Sequence, residues 1–144
     1  YYFSYYQLEV LRKAGLGERY IDQLGPWRGM LDLGLTTVPE TPEPTRSDSH
    51  AWSAHPNYGL LATVIGVRPA EPGFKSVRIA PHLGPLQRAE GRVPHPLGAI
   101  VVRLARTPGG GLRGEITLPP GLAGVLVWGG KETALRSGRQ ELSL

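Results

Sequence analysis

The chain has 144 residues, of which 40% are hydrophobic and 19% charged, a balance that excludes a disordered protein and allows a substantial core. It contains no cysteine, which excludes disulfides, thiolate chemistry and cysteine-based zinc sites. The formal net charge is +4, and the arginine excess lies in residues 67–144. Those arginines are thinly spread and lack aromatic neighbours, so we interpret them as solvent-facing strand positions and expect no nucleic-acid partner.

The sequence contains no stretch near the roughly 20 apolar residues of a membrane span, so we expect a soluble protein with no membrane partner. It begins with Tyr1 inside a helix-like aromatic pattern, which we interpret as a cut through a larger protein. Composition does not indicate a compartment, and cytoplasmic, periplasmic and secreted locations all stay open.

The first 34 residues predict two helices joined by a short glycine turn. Apolar side chains spaced at three and four positions predict the first over residues 1–14, and basic residues followed by Gly15 mark its end. A second pattern covers residues 18–33, where Gly25-Pro26 predicts a break. The two stripes consist of Phe3, Tyr6, Val10 and Leu11, and of Tyr20, Leu24, Trp27 and Leu31.

A third helix is predicted after a polar loop, with a cap at Ser47, Asp48 or Ser49 and an end near Ile65. Pro56 predicts an irregular first turn. The expected buried face consists of Leu60, Leu61, Val64 and Ile65.

From Val67 onward, apolar side chains alternate with polar ones, which predicts half-buried antiparallel strands. Six or seven short strands, separated by turns rich in glycine and proline, indicate a β-sandwich. Helices followed by strands predict an α+β chain in two domains, with the boundary between residues 66 and 73. The core-facing residues are expected to be Val77, Ile79, Ile100, Val102, Leu104, Leu112, Ile116 and Leu118.

The loop over residues 35–56, LTTVPETPEPTRSDSHAWSAHP, is the most informative stretch for function. Its prolines exclude a helix, so Glu40 and Glu43 lie on a stiff extended backbone. Carboxylates placed in this way can act as a general base, a nucleophile or a metal ligand. The alternative is an ordinary connection between helices, in which Arg46 and Asp48 pair with each other.

The four histidines differ in their expected roles. His50 lies near a helix start, where the positive dipole end disfavours imidazolium and a neutral ring can hydrogen-bond to a hydroxyl group. His55 does not share a helix face with it, so no metal pair is predicted. His82 and His95 flank prolines and are expected at the surface.

Trp27 and Trp52 are the aromatic residues nearest to the loop. Aromatic faces can stack against the C–H faces of sugars, and helix packing is the alternative for both. Trp128 lies in the strand-like segment VLVW and is expected in the core.

Two stretches of the chain, GLTTVPETPEPTRSDSHAWSAHP (34–56) and GVRPAEPGFKSVRIAPHLGPL (66–86), resemble the C-terminal end of bacterial α-L-rhamnosidases of glycoside hydrolase family 78. The resemblance covers essentially the whole chain. It implies that residues 1–66 are the last helices of an (α/α)6 barrel of the six-hairpin glycosidase type, and that residues 67–144 form an antiparallel β-sandwich. It also implies a rhamnose-containing glycoside or oligosaccharide as substrate and no cofactor.

The resemblance further implies an inverting reaction that releases terminal α-L-rhamnose. One acid protonates the leaving oxygen, and a base activates water from the opposite face. The family's T-T-x-x-E segment, which carries the base, matches Thr36-Thr37-Val38-Pro39-Glu40, so Glu40 is the expected base and Glu43 the lesser candidate.

Other loop residues are expected to bind the sugar. The family's sugar-contacting histidine matches His50, and Ser49 stands where relatives often have cysteine. Arg46, Asp48 and Trp52 are expected to shape the pocket.

The resemblance places the general acid upstream of this chain. Because three helices cannot close a barrel of twelve, we expect their inner faces to be covered by the missing N-terminal part of the barrel or by self-association. The 144-residue chain alone is expected to be inactive. The alternatives are a six-hairpin glycosidase with another sugar specificity, and a non-catalytic carbohydrate-binding or structural β-sandwich module.

Overall fold

The structure, a computed structural model, describes residues 1–144 and begins with helix α1, Ser4–Lys13. This helix confirms the first prediction. Arg12 and Lys13 lie in its last turn, where cations interact favourably with the helix dipole, and Gly15 follows at φ 74°. No helix of the chain is long and apolar enough to cross a membrane.

The second predicted helix is shorter than expected. Residues 17–24 contain two 3₁₀ turns, Gly17–Arg19 and Ile21–Leu24, and only Gly25–Asp32 is α-helical (α2). Pro26 lies in the first turn of α2, where its missing N–H costs nothing, so it starts a helix and does not interrupt one.

The third predicted helix is fragmented and has no side-chain cap. A 3₁₀ turn, Ala51–Ala54, leads into α3, Pro56–Gly59, and then into a single π-helical turn, Leu60–Val64. Pro56 opens α3 and therefore does not disturb it. None of the expected capping residues precedes the first turn directly, because His50 occupies that position in an extended conformation.

Eight strands follow, arranged in two four-stranded sheets. The strands are β1 Val67–Pro69, β2 Ser76–Ile79, β3 Arg88–Val93, β4 Ile100–Arg106, β5 Leu112–Leu118, β6 Ala123–Trp128, β7 Lys131–Leu135 and β8 Gly138–Ser143. Their spatial orders are β1-β2-β6-β7 and β3-β4-β5-β8. A 3₁₀ turn, Pro72–Phe74, connects β1 to β2.

The two sheets share one core, as the alternation of side chains predicted. All eight side chains expected in that core are buried, and Leu126 and Leu135 join them from the first sheet. Trp128 packs at the edge of this core and is only partly buried. The expectation of purely antiparallel pairing was wrong, since β2 and β6 run parallel.

Ion pairs and hydrogen bonds fasten the helices to the sheets. One oxygen of Glu18 accepts hydrogen bonds from the Gly84 N–H and from the Arg106 guanidinium, both at 2.8 Å. Its other oxygen lies 3.5 Å from the Nδ1 atom of His82. The Arg106 guanidinium also lies 5.3 Å from the centre of the Trp128 ring.

Two histidines expected at the surface are instead partly buried. His82 faces Glu18, and its side chain is 27% exposed. The Nε2 atom of His95 lies 2.9 Å from the Phe74 carbonyl oxygen, and the two rings meet edge to face. Neighbouring prolines therefore indicated turns but not the exposure of these rings.

Burial in the helices departs from the predicted stripes. Leu8, Tyr20, Ile21 and Val64 form a small core, to which Leu11 and Leu24 add partly buried contacts. Leu60, expected inside, is 37% exposed. Ten large apolar side chains of the helical half are exposed, and we call them the exposed apolar residues: Tyr2, Phe3, Tyr6, Val10, Leu16, Leu31, Leu33, Trp52, Tyr58 and Leu60.

The crossing of two backbones at Gly66 provides a test of the fold. Gly66 has φ 79°, and a Cβ atom there would lie 2.2 Å from the carbonyl of Ala80. We expect Gly66→Ala to lower the free energy of unfolding by about 3 kcal/mol or more, because it adds a backbone clash to left-handed strain.

Gly130→Ala is the matched control, since its φ is 77° and the space around it is open. We expect this change to cost only about 1 kcal/mol, the cost of strain alone. Urea unfolding of both variants measures the difference, and equal losses would contradict the close approach at Gly66.

Candidate functional site

The loop between α2 and the third helical region folds back on itself. The backbone N–H of Glu40 donates to the Ser47 carbonyl at 2.9 Å, and that of His50 donates to the Val38 carbonyl at 2.8 Å. These bonds hold the two sides of the loop together. Glu40 and His50, ten positions apart in the sequence, are consequently fixed in one small region.

Glu40 forms a bidentate ion pair with Arg46. The Nε atom of Arg46 donates to Oε2 of Glu40 at 2.9 Å, and its Nη2 atom donates to Oε1. The Glu40 side chain is 14% exposed, whereas that of Arg46 is 83% exposed.

This ion pair sets the charge state of Glu40. The hydrogen bond from Arg46 lowers the pKa of the Glu40 carboxyl group, and the charges of Arg46 and His50 add to the effect. The same contact raises the pKa of Arg46. Glu40 is therefore a carboxylate at neutral pH.

The alternative pairing of Arg46 with Asp48 was wrong. Arg46 pairs with Glu40, and the contact made by Asp48 is through its backbone carbonyl, which accepts a hydrogen bond from the Thr37 hydroxyl. A six-residue separation along the sequence concealed the true partner, because the fold-back of the loop was not visible in the sequence.

Glu43, the lesser candidate, has a local structural contact. Its Oε2 atom accepts a hydrogen bond from the Thr45 N–H at 3.0 Å, and the Thr45 hydroxyl donates to the Ser47 carbonyl at 3.1 Å. Glu43 thus stabilises the tip of the loop. It also lines a cavity of about 410 Å³ between the loop and α2.

Trp52 presents a half-exposed ring close to the loop. It follows His50 by two positions in the 3₁₀ turn Ala51–Ala54 and is 50% exposed. Its ring centre lies 5.6 Å from that of Tyr2 and 6.2 Å from that of Tyr6. The indole therefore joins a cluster of aromatic rings contributed by the start of the chain.

Trp27 and His55 contact each other and connect α2 to the segment after the loop. The sequence did not reveal this contact. The indole N–H of Trp27 donates to the Ser53 carbonyl at 2.7 Å, and the Trp27 and His55 rings meet edge to face at 4.9 Å. Burial lowers the pKa of His55. These contacts fix α2 against the segment that carries His50 and Trp52, so Trp27 has the packing role that was one of its two expected roles.

The loop and the turn that follows it carry one ionised carboxylate, an imidazole ring and a half-exposed indole. A carboxylate can accept a proton from water, and an imidazole can hydrogen-bond to a hydroxyl group. No group of three or more His, Asp or Glu side chains is placed to hold a metal ion.

Comparison with known protein families assigns the chain to one of them. A family model described as the bacterial alpha-L-rhamnosidase C-terminal domain matches residues 66–143, more than half of the sequence. The chain belongs to this family. A search of curated proteins, in contrast, found no match.

Solved α-L-rhamnosidase structures share the fold. The chain is 32% identical to the family 78 rhamnosidase of Bacillus sp. GL1, with a TM-score of 0.78 over 88% of this chain and 15% of that one. The native rhamnosidase of Aspergillus terreus is 22% identical, with a TM-score of 0.83 over 94% of this chain and 18% of that one.

A third structure, the Streptomyces avermitilis α-L-rhamnosidase complexed with L-rhamnose, is 19% identical, with a TM-score of 0.79 over 95% of this chain and 17% of that one. This chain therefore spans less than a fifth of the length of each of these three structures. The shared fold includes most of the helices as well as the sheets, because the matches cover 88% or more of this chain.

The ion pair of Glu40 can be tested in the isolated chain. We expect Arg46→Gln to raise the pKa of the Glu40 carboxyl group, because the change removes the cation that stabilises the carboxylate. Titration of the Glu40 side-chain carbon by NMR measures the shift. Arg28→Gln removes the same charge from an exposed position that makes no hydrogen bond to Glu40, and it should leave the Glu40 titration unchanged. An unchanged Glu40 pKa in Arg46→Gln would contradict the pair.

Proposed function

We propose that the chain is the C-terminal part of an inverting glycoside hydrolase that releases terminal α-L-rhamnose from rhamnosides. Residues 1–66 would be the last helices of an (α/α)6 catalytic barrel, and residues 67–144 its C-terminal β-sandwich domain. The family membership carries this proposal. The exposed apolar residues support it, because a preceding part of the barrel would cover such side chains.

Glu40 is the proposed general base. In an inverting reaction a carboxylate takes a proton from water while the water oxygen attacks the anomeric carbon. The glycosidic C–O bond breaks at the same time, and a general acid from the preceding chain protonates the leaving oxygen. The two carboxyl groups would stand roughly 6.5–9.5 Å apart to leave room for the water.

The contact with Arg46 is compatible with this role. A base must be deprotonated before it can act, and the guanidinium keeps Glu40 ionised. Each carboxylate oxygen has two lone pairs, so an oxygen that accepts from Arg46 can also accept from water. Arg46 thereby orients the carboxylate without occupying all of its acceptor sites.

His50, Asp48 and Trp52 are the proposed substrate-binding residues. His50 would hydrogen-bond to a sugar hydroxyl, and the half-exposed Trp52 ring would stack against the C–H face of the sugar. Asp48 lies on the same side of the loop as His50. A carbohydrate-binding role for residues 67–144 alone receives less support, since Phe74 and Trp128, their only Phe or Trp residues, are partly buried.

The role of Glu40 can be tested in the longer protein that carries this chain. We expect Glu40→Ala to lower kcat for p-nitrophenyl α-L-rhamnoside by about a thousandfold, because it removes the base. Added azide, which needs no deprotonation, should restore turnover and yield the β-configured rhamnosyl azide.

Glu43→Ala is the matched control from the same loop, and its kcat should fall less than tenfold. Circular dichroism and thermal unfolding verify that both variants are folded. If Glu40→Ala keeps its activity within tenfold of the unmodified enzyme, Glu40 is not the base.

A further inference from the structure

The outer face of the sheet β3-β4-β5-β8 has a concentration of charge that the proposed function does not use. Side chains alternate along each strand, and those that point away from the shared core form what we call the charged face. It consists of Arg88, Glu90, Arg92, Val101, Arg103, Ala105, Arg113, Glu115, Thr117, Arg139, Glu141 and Ser143. Its five arginines and three glutamates give a net charge of +2, which does not depend on which of them form ion pairs.

One row of this face pairs its charges internally. The strand register aligns Glu90, Arg103, Glu115 and Glu141 across the four strands. Arg103 lies 3.6 Å from Glu90 and 3.1 Å from Glu115. Arg139, from the adjacent row, lies 2.7 Å from Glu115 and 3.6 Å from Glu141.

The next row leaves two guanidinium groups without an acidic partner. Arg88 and Arg113 flank Ala105, with one strand between them, so their backbones are about 10 Å apart. Both are exposed, and neither forms an ion pair. The small side chain of Ala105 leaves the space between them open.

A concavity of about 740 Å³ lies at this position. Its lining includes Arg88, Ala105 and Arg113, together with the paired charges Glu90, Arg103, Glu115 and Glu141. None of its lining residues belongs to the loop that carries Glu40. The concavity is therefore separate from the proposed catalytic site.

We propose that the charged face binds an anionic polysaccharide, a polyuronate with a carboxylate on each sugar. Guanidinium groups bind carboxylates through paired hydrogen bonds, and two free groups on backbones about 10 Å apart can engage carboxylates on different sugars of one chain. The face carries no aromatic side chain, which disfavours both stacked nucleobases and stacked neutral sugars. The choice of a polysaccharide rests on the proposed glycosidase function.

Binding of this kind is weak at each contact and depends on salt. Exposed ion pairs are screened within about 10 Å at 0.1 M salt, so affinity arises from several contacts along a polymer. A single uronic acid should accordingly bind far more weakly than the polymer.

The test measures binding of the 144-residue chain to polygalacturonate by affinity electrophoresis in 50 mM and 300 mM NaCl. We expect retardation at the lower salt concentration that disappears at the higher one, and no retardation by the fully methyl-esterified polymer. Arg88→Gln combined with Arg113→Gln should weaken binding at least tenfold.

Lys75→Gln combined with Lys131→Gln is the matched control, because it removes the same charge from exposed positions outside this sheet. Its affinity should stay within twofold of the unmodified chain. An equal loss in both double variants, equal binding of the esterified polymer, tighter binding of duplex DNA, or no binding at 50 mM NaCl would each overturn the proposal.

Glu40→Ala separates this inference from the proposed function. The variant should bind polygalacturonate as the unmodified chain does. If the chain does not bind polygalacturonate but the longer protein hydrolyses p-nitrophenyl α-L-rhamnoside normally, the polysaccharide site is overturned and the proposed function is not.

Discussion

The two backbone hydrogen bonds that close the loop, from Glu40 to Ser47 and from His50 to Val38, are the constraint on which the candidate site depends. Without them, the prolines would keep the loop extended, and the acid and the imidazole would be held apart by their separation in sequence. With them, Arg46 reaches back to Glu40 and fixes the orientation and the charge of its carboxylate. The loop is thereby preorganised, and preorganisation is the property that catalytic groups require.

The sheets position this loop through a chain of contacts. Glu18 connects the first 3₁₀ turn to Gly84 and Arg106, and the Trp27 indole then connects α2 to the turn that carries Trp52. Each contact joins segments far apart in sequence, so the helices keep their arrangement beside the sheets. The exposed apolar residues lie in the helical half of the chain and include Trp52, which suits a surface that continues into further protein.

The sequence allowed the strands to be predicted well, because a period of two directly reflects which side chains face the core. It did not show the parallel pairing of β2 with β6, since alternation is the same in parallel and antiparallel strands. The third helix was misjudged because Pro56 can either break a helix or start one, and backbone geometry decides between them. The partner of Arg46 was missed for a similar reason: Asp48 is nearer in sequence, whereas Glu40 is nearer in space. The roles proposed for Glu40 and His50 came from family resemblance, because isolated loop residues carry no periodic signal.

The central claim is that this chain supplies one half of an active site through Glu40, and that preceding polypeptide supplies the other. Complementation tests it most directly: the region that precedes Tyr1 in the longer protein is produced separately and mixed with the 144-residue chain, unmodified or as Glu40→Gln. The expected result is hydrolysis of p-nitrophenyl α-L-rhamnoside only by the mixture with the unmodified chain, although both chains bind the preceding region. Hydrolysis by either part alone, or equal hydrolysis with Glu40→Gln, would contradict the claim.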